Sequence, residues 1–156
     1  MSYPITVYTD GSCHTQYRIG AWVALVFVGD EKIVLSGTAA DTTHQRMELL
    51  AVIRSIQYVR QQYAETRVLH IFSDSQYVTG LPARSEQLAA AQFTTRKGNA
   101  IRNEALVEEL LLLLQTMQVR LEKVRAHQPV TELVNYNIEA DKLSRKLVRE
   151  AVAALI

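Results

Sequence analysis

Residues 5–12 read ITVYTDGS, a β-rich run followed by three residues that favour turns. We therefore expect a first strand that ends at Asp10. Two further β-branched or apolar runs follow at residues 20–28 and 32–39, and Gly29-Asp30 between them suits a tight hairpin turn. The sequence thus predicts three antiparallel strands.

A βαβ unit is predicted next. The helix is indicated by apolar residues that recur at helical spacing: Leu49, Val52, Ile53, Ile56 and Val59. Residues 67–73 then favour a strand that ends at Asp74, and the intervening helix favours a parallel crossover to the first strand. Asp10 and Asp74 are therefore expected at neighbouring strand ends, where open α/β sheets usually place their chemistry.

The second half of the chain predicts two more helical regions and a final strand. Residues 77–91 favour a helix interrupted by Gly80 and Pro82, and Asn103 is a candidate cap for a Leu-rich helix that ends near Met117. A final strand is expected at residues 119–126, followed by a polar loop at 129–137. One face of the last helix collects its apolar residues: Ala140, Leu143, Leu147, Val148 and Ala151.

The resulting order, βββαβαβα, defines the fold class. We predict an α/β protein with a single mixed five-stranded sheet, three strands antiparallel and two parallel, and helices packed on it. The 156 residues, of which 48% are hydrophobic and 21% charged, suit one compact domain spanning residues 1–156.

Composition excludes several other classes of protein. A single cysteine, Cys13, rules out an intrachain disulfide and a cysteine-rich zinc site. The chain shows no membrane-length apolar run and no secretory signal at its N-terminus, so we expect a cytoplasmic protein without membrane contacts. We also expect a monomer. With a net charge of only +1, a nucleic-acid function has to be argued from local residues.

Four acids carry that argument. Asp10 and Asp74 end strands, Glu48 is expected to begin the first helix, and Asp141 is expected in the first turn of the last helix. Each acid alone is explained as a turn residue, a helix-end charge or, for Asp141, a partner of Arg145. If the four converge, however, their repulsion requires a divalent cation, and hard oxygen ligands favour Mg²⁺ or Mn²⁺ over zinc.

The acids lie within four motifs that follow one another along the chain: Tyr8-Thr9-Asp10-Gly11-Ser12, Arg46-Met47-Glu48-Leu49, Ser73-Asp74-Ser75-Gln76-Tyr77-Val78, and Ala140-Asp141. Together, and in this order, they resemble type 1 ribonuclease H over residues 5 to about 149. The resemblance implies the ribonuclease H-like fold and an endonuclease that hydrolyses the RNA strand of RNA–DNA hybrids. The products would carry 3′-hydroxyl and 5′-phosphate ends.

The resemblance also implies a role for each site residue. Asp10 would bridge two Mg²⁺ ions, Glu48 and Asp74 would complete one metal site, and Asp141 would complete the other. His127 matches a mobile histidine that assists product departure or proton transfer.

Four polar residues match substrate contacts of the family. Thr43 corresponds to a contact with a phosphate of the DNA strand, and Gln45 and Gln76 correspond to minor-groove contacts near the cleavage site. Asn103 is a candidate for the phosphate pocket or, alternatively, a simple helix cap.

This chain departs from the family in three places. Residues 13–18 lack the usual Gly- and Pro-rich turn, and His44 replaces a more usual Asn. Residues 81–106 carry four basic and two acidic residues and no Trp, where many relatives have a basic protrusion that contains tryptophan. Two alternatives stay open: a noncatalytic hybrid-binding module, and another nuclease of this fold such as a resolvase, transposase or exonuclease.

Overall fold

The protein is described by a computed structural model over residues 4–66, 68–124 and 136–156. Its strands are β1 (Ile5–His14), β2 (Ile19–Val28), β3 (Glu31–Ala39), β4 (Val68–Ser73) and β5 (Gln118–Lys123). Its α-helices are α1 (His44–Gln62), α2 (Gln76–Thr79), α3 (Ser85–Ala90), α4 (Glu104–Thr116) and α5 (Tyr136–Ala153). A short 3₁₀ helix, Pro82–Arg84, lies between α2 and α3.

The five strands form one mixed sheet in the order β3-β2-β1-β4-β5. β1 pairs with β2 and β2 with β3 in antiparallel fashion, whereas β1 with β4 and β4 with β5 are parallel. The predicted fold class and the hairpin at Gly29-Asp30 are confirmed. β1, the first strand of the chain, lies in the middle of the sheet.

β1 is longer than predicted. It continues through Asp10 to His14, because residues 10–14 pair with β2 as far as Ile19. The prediction that the strand ends at Asp10 is wrong, since cross-strand pairing outweighs the turn preference of Asp-Gly-Ser. The parallel pairing with β4 does stop at Thr9 and Ser73. Asp10 is therefore the first residue of β1 beyond the end of its parallel pairing with β4.

Two helices begin earlier than predicted. Thr43 caps α1, its Oγ1 accepting a hydrogen bond from the Arg46 amide at 3.2 Å, so Glu48 lies in the second turn rather than at the helix start. α5 begins at Tyr136, which places Asp141 in its second turn and removes residues 136 and 137 from the predicted loop. The rest of that loop, residues 125 and 126 of the predicted strand, and His127 lie outside the described residues.

The middle region is helical with breaks, as Gly80 and Pro82 predicted. Asn103 does occupy the N-cap position of α4, but its side chain makes no capping hydrogen bond. Its backbone is left-handed, with φ of 60°, whereas a side-chain cap normally needs an extended backbone. The capping prediction for Asn103 is therefore wrong.

α1 and α5 cover opposite faces of the sheet. The five apolar residues that predicted α1 are all buried in a core that also contains residues of β1, β2, β4 and α4. On the other face, Ala140 of α5 packs with Val23 and Leu25 of β2, and Tyr8 and Phe27 border this smaller cluster. Within the described ranges no helix is long and apolar enough to span a membrane.

Gly11 allows α1 to approach β1. A Cβ atom at this position would lie 2.5 Å from the backbone nitrogen of Glu48 and 2.6 Å from the carbonyl carbon of Met47. Such distances are far below van der Waals contact, and the opposing atoms are helix backbone that has little room to move. The absent side chain at Gly11 therefore sets how close Glu48 comes to the strand that carries Asp10.

We predict that Gly11→Ala destabilises the protein by about 1–3 kcal/mol, because the new methyl group overpacks the interface between β1 and α1. Chemical denaturation of the variant measures the change. Ser12→Ala, the next position in the same strand, is the matched control. An unfolding free energy for Gly11→Ala equal to that of the control would contradict this account of the close approach.

Candidate active site

Three carboxylates meet where the parallel ladder of β1 and β4 ends. Oxygen atoms of Asp10, Glu48 and Asp74 lie within 4.8 Å of one another. Asp10 and Glu48 are each only 2% exposed, and Asp74 is partly buried. The convergence predicted from the sequence is therefore present for these three acids.

Each acid reaches the site from a different element. Asp10 lies within β1, Asp74 directly follows β4, and Glu48 projects from the second turn of α1. The register of the parallel pair brings the two aspartates level, because Thr9 and Ser73 are its last partners. Thr9 also donates a hydrogen bond from Oγ1 to the carbonyl of Phe72 at 3.2 Å, which ties the two strands together beside the acids.

Burial and repulsion raise the pKa of all three acids. Burial raises the pKa of Asp10 to about 8, with further contributions from the charges of Glu48, Asp74 and Asp141. Burial is also the main cause that raises the pKa of Glu48 and of Asp74. Without a cation, Asp10 therefore keeps its proton at neutral pH.

Two neighbouring side chains bind the buried acids. Ser144 of α5 donates from Oγ to Oδ2 of Asp10 at 2.7 Å, and the same Oγ lies 3.0 Å from the carbonyl of Asp141. His44 places Nε2 3.1 Å from Oε1 of Glu48. Hydrogen bonding to Glu48 is the main cause that raises the pKa of His44 to about 8.

The second oxygen of Glu48 has no such contact. Oε2 is buried and has no hydrogen-bond partner among the described residues. A buried carboxylate oxygen without a partner is costly, because its desolvation is not compensated. Three clustered carboxylates with one such free oxygen fit a hard divalent cation that prefers oxygen ligands.

Asp141 lies beside the cluster rather than in it. It is not among the three acids whose oxygens lie within 4.8 Å of one another. Its Oδ1 accepts a hydrogen bond from Nε of Arg145 at 3.1 Å, and its side chain is 38% exposed. Its charge nonetheless raises the pKa of Asp10 and of Asp74, so it is near enough to interact with both.

The predicted substrate contacts lie on the α1 side of the sheet and near α2. Thr43 is exposed at the N-cap of α1, Gln76 is exposed at the start of α2, and Gln45 is partly exposed one residue after His44. Asn103 donates from Nδ2 to the hydroxyl of Tyr77 at 3.4 Å. The structure places these polar groups at accessible positions, and their roles stay predictions.

Sequence reasoning missed the contacts of Ser144 and His44 with the acids. Both were detectable in principle, because helix residues three or four apart share a face. Ser144 is three residues after Asp141, and His44 is four residues before Glu48.

Comparison with known proteins identifies the family. The sequence pattern of the RNase H family matches residues 2–149. The chain belongs to the RNase H family. It is 33% identical over 156 residues to the protein named Ribonuclease H from Moorella thermoacetica, covering 97% of this chain and 93% of that one. Identity to the Ribonuclease H of Syntrophomonas wolfei subsp. wolfei is 32% over 147 residues, covering 93% and 96%.

A solved structure shares the fold of this RNase H family member. LC9-RNase H1, described as a type 1 RNase H with the type 2 active-site motif, aligns with a TM-score of 0.77 at 23% identity. The alignment covers 96% of this chain and 74% of that one. The resemblance inferred from four motifs is confirmed, and the chain is an enzyme of the nuclease class.

We predict that the metal-free protein loses stability as the pH rises from about 4 to about 8. The folded pKa of Asp10, about 8, lies above its usual value of 3.8, so the folded state retains a proton that the unfolded chain releases. The stabilisation is complete below the unfolded pKa and is lost as the pH rises through the folded pKa. His44 acts in the same direction, because its folded pKa is also raised to about 8.

Asp10→Asn isolates the contribution of Asp10. At about pH 8 without metal, this variant should be more stable than the wild type by about 1–3 kcal/mol, and its stability should depend less on pH. Urea denaturation in EDTA across the pH range measures both quantities. Asp30→Asn, at the exposed turn between β2 and β3, is the control. A wild type that gains stability toward pH 8 would contradict the raised pKa.

Proposed function

We propose that this protein hydrolyses the RNA strand of RNA–DNA hybrids with two Mg²⁺ ions, for which Mn²⁺ can substitute, and leaves 3′-hydroxyl and 5′-phosphate ends. The observation that carries the proposal is the buried cluster of Asp10, Glu48 and Asp74, whose pKa values are raised and whose Glu48 Oε2 lacks a partner. Membership of the RNase H family supports the same substrate.

The four acids would share the metal ions. In the proposed arrangement Asp10 would contribute to both sites, Glu48 and Asp74 would complete one site, and Asp141 would complete the other. When bound, two such cations would help to activate a water on one side of the phosphodiester and would stabilise the charge of the leaving oxygen on the other. Ser144 holds Asp10 in place through its 2.7 Å hydrogen bond.

The proposal also covers the role of His127, the extent of the domain, the cellular location and the oligomeric state. We assign His127 an auxiliary role in product departure or proton transfer, on the strength of the resemblance. We further propose that residues 1–156 form a single catalytic domain, and that the protein works as a cytoplasmic monomer.

Substrate binding is proposed for the surface that begins at the first turn of α1. Thr43 would contact a phosphate of the DNA strand, and Gln45 and Gln76 would contact the minor groove. A surface pocket of about 270 Å³ adjoins Gln45, and its lining includes Tyr77, Arg84 and Arg102. We therefore propose that these two arginines, rather than a strongly basic protrusion, provide cationic contacts with the hybrid in this region. Asn103, hydrogen-bonded to Tyr77, would support the same region.

We predict that the purified protein with Mg²⁺ cleaves the RNA strand of a labelled hybrid and leaves duplex DNA and duplex RNA intact. EDTA should stop cleavage, and added Mg²⁺ or Mn²⁺ should restore it. Asp10→Asn should reduce cleavage to background while the protein stays folded, and Asp30→Asn should cleave as the wild type does. Full activity in EDTA, or in Asp10→Asn, would refute the proposed mechanism.

We predict that Arg84→Ala combined with Arg102→Ala weakens hybrid binding at low salt and makes its salt dependence shallower. Each lost phosphate contact should reduce the slope of log affinity against log salt by ~0.9. Binding is measured across a salt series in Ca²⁺, so that cleavage does not interfere. Arg149→Ala, an exposed cation on α5, is the matched control. An unchanged slope would show that this pocket does not contact the hybrid.

A further inference from the structure

His44 contacts the acid cluster from its exposed side. Its side chain is 65% exposed, whereas that of Glu48 is 2% exposed, and Nε2 lies 3.1 Å from Oε1 of Glu48. The two residues are four apart in α1, so they share one helix face. His44 therefore covers the solvent side of an acid that is otherwise enclosed by protein.

The two oxygens of Glu48 have different surroundings. His44 lies against Oε1, whereas Oε2 is buried without a hydrogen-bond partner among the described residues. A carboxylate that is held at one oxygen cannot rotate freely about its last bond. The free oxygen is consequently held in one orientation, within a cluster that also contains Asp10 and Asp74.

We propose that His44 is a positioning residue, which holds Oε1 of Glu48 so that Oε2 is directed to a divalent cation. The proposal rests on the proposed function, since it takes the acid cluster to be the metal site. His44 does not bind the cation itself. It lies outside the set of His, Cys, Asp and Glu whose ligand atoms converge within 4.8 Å among the described residues.

The alternative role for His44 is a direct contact with the hybrid, because His44 is exposed and lies next to Gln45. The two roles differ in what they affect. A substrate contact changes the affinity for hybrid and leaves metal binding without substrate unchanged. A residue that positions Glu48 changes metal binding even when no hybrid is present.

The test measures Mn²⁺ binding to the substrate-free protein by isothermal titration calorimetry, with the free Mn²⁺ signal in electron paramagnetic resonance as a second readout. Removing a hydrogen bond to a ligating group typically costs 10–100-fold in metal affinity or activity. Because His44 is largely exposed, we expect His44→Ala to weaken Mn²⁺ binding by about 10-fold, near the lower end of that range. The Mn²⁺ concentration that half-saturates cleavage should rise by a similar factor.

Two substitutions distinguish positioning from a general structural role. Gln places an amide N–H near the position of the histidine Nε2, so His44→Gln should recover most of the Mn²⁺ affinity. Asn is one methylene group shorter and should recover little. His14→Ala is the control for loss of an imidazole, because the ring of His14 contacts Tyr17 and not the acids. Circular dichroism and thermal unfolding without metal check that each variant folds.

The outcomes separate the two proposals. If the wild type binds Mn²⁺ and His44→Ala binds it within twofold as tightly, the positioning role is wrong and the proposed function stands. Equal weakening in His44→Ala and His44→Gln would also overturn it, because the N–H donor would then not matter. If the wild type binds no Mn²⁺ and cleaves hybrid without metal, both proposals fail.

Discussion

The repulsion among three clustered carboxylates, two of them buried and one partly buried, is the constraint on which the rest of this structure depends. Asp10, Glu48 and Asp74 lie close together where water is largely excluded, so the folded chain must force them there against an unfavourable free energy. Hydrophobic packing of α1 and α5 on the two faces of the sheet provides the opposing force. The site exists because the core is strong enough to hold the acids together.

The backbone brings the three acids to one end of the parallel pairing between β1 and β4. β1 is the middle strand, and its parallel ladder with β4 ends immediately before the two aspartates. Gly11 then admits α1 so closely that no Cβ fits, which brings Glu48 to the same place. Neighbouring groups relieve only part of the strain, since Ser144 binds one oxygen of Asp10 and His44 contacts one oxygen of Glu48. The remaining unfavourable energy is what a bound cation would relieve.

Much of this arrangement could be predicted from the sequence, because local patterns follow helix and strand geometry. The apolar spacing of α1 and the β-rich runs predicted the order of elements and the mixed sheet. Features that depend on distant partners could not be predicted in the same way. The extension of β1 to His14 follows from pairing with β2, and the backbone of Asn103 follows from its tertiary setting. The contacts of Ser144 and His44 required knowing which face of each helix meets the acids.

Asp141 shows that the four acids are not equivalent. The three clustered acids are fixed by the sheet and by α1, whereas Asp141 is 38% exposed and pairs with Arg145 on the same helix. Such an exposed pair four residues apart contributes only about 0.3–0.5 kcal/mol, so Arg145 can release Asp141 at little cost. Under the proposed mechanism the fourth acid would therefore join the others when a cation and substrate add their charges. Under that mechanism the most costly repulsion would lie in a fixed part of the fold, and the adjustable ligand would be the more exposed Asp141.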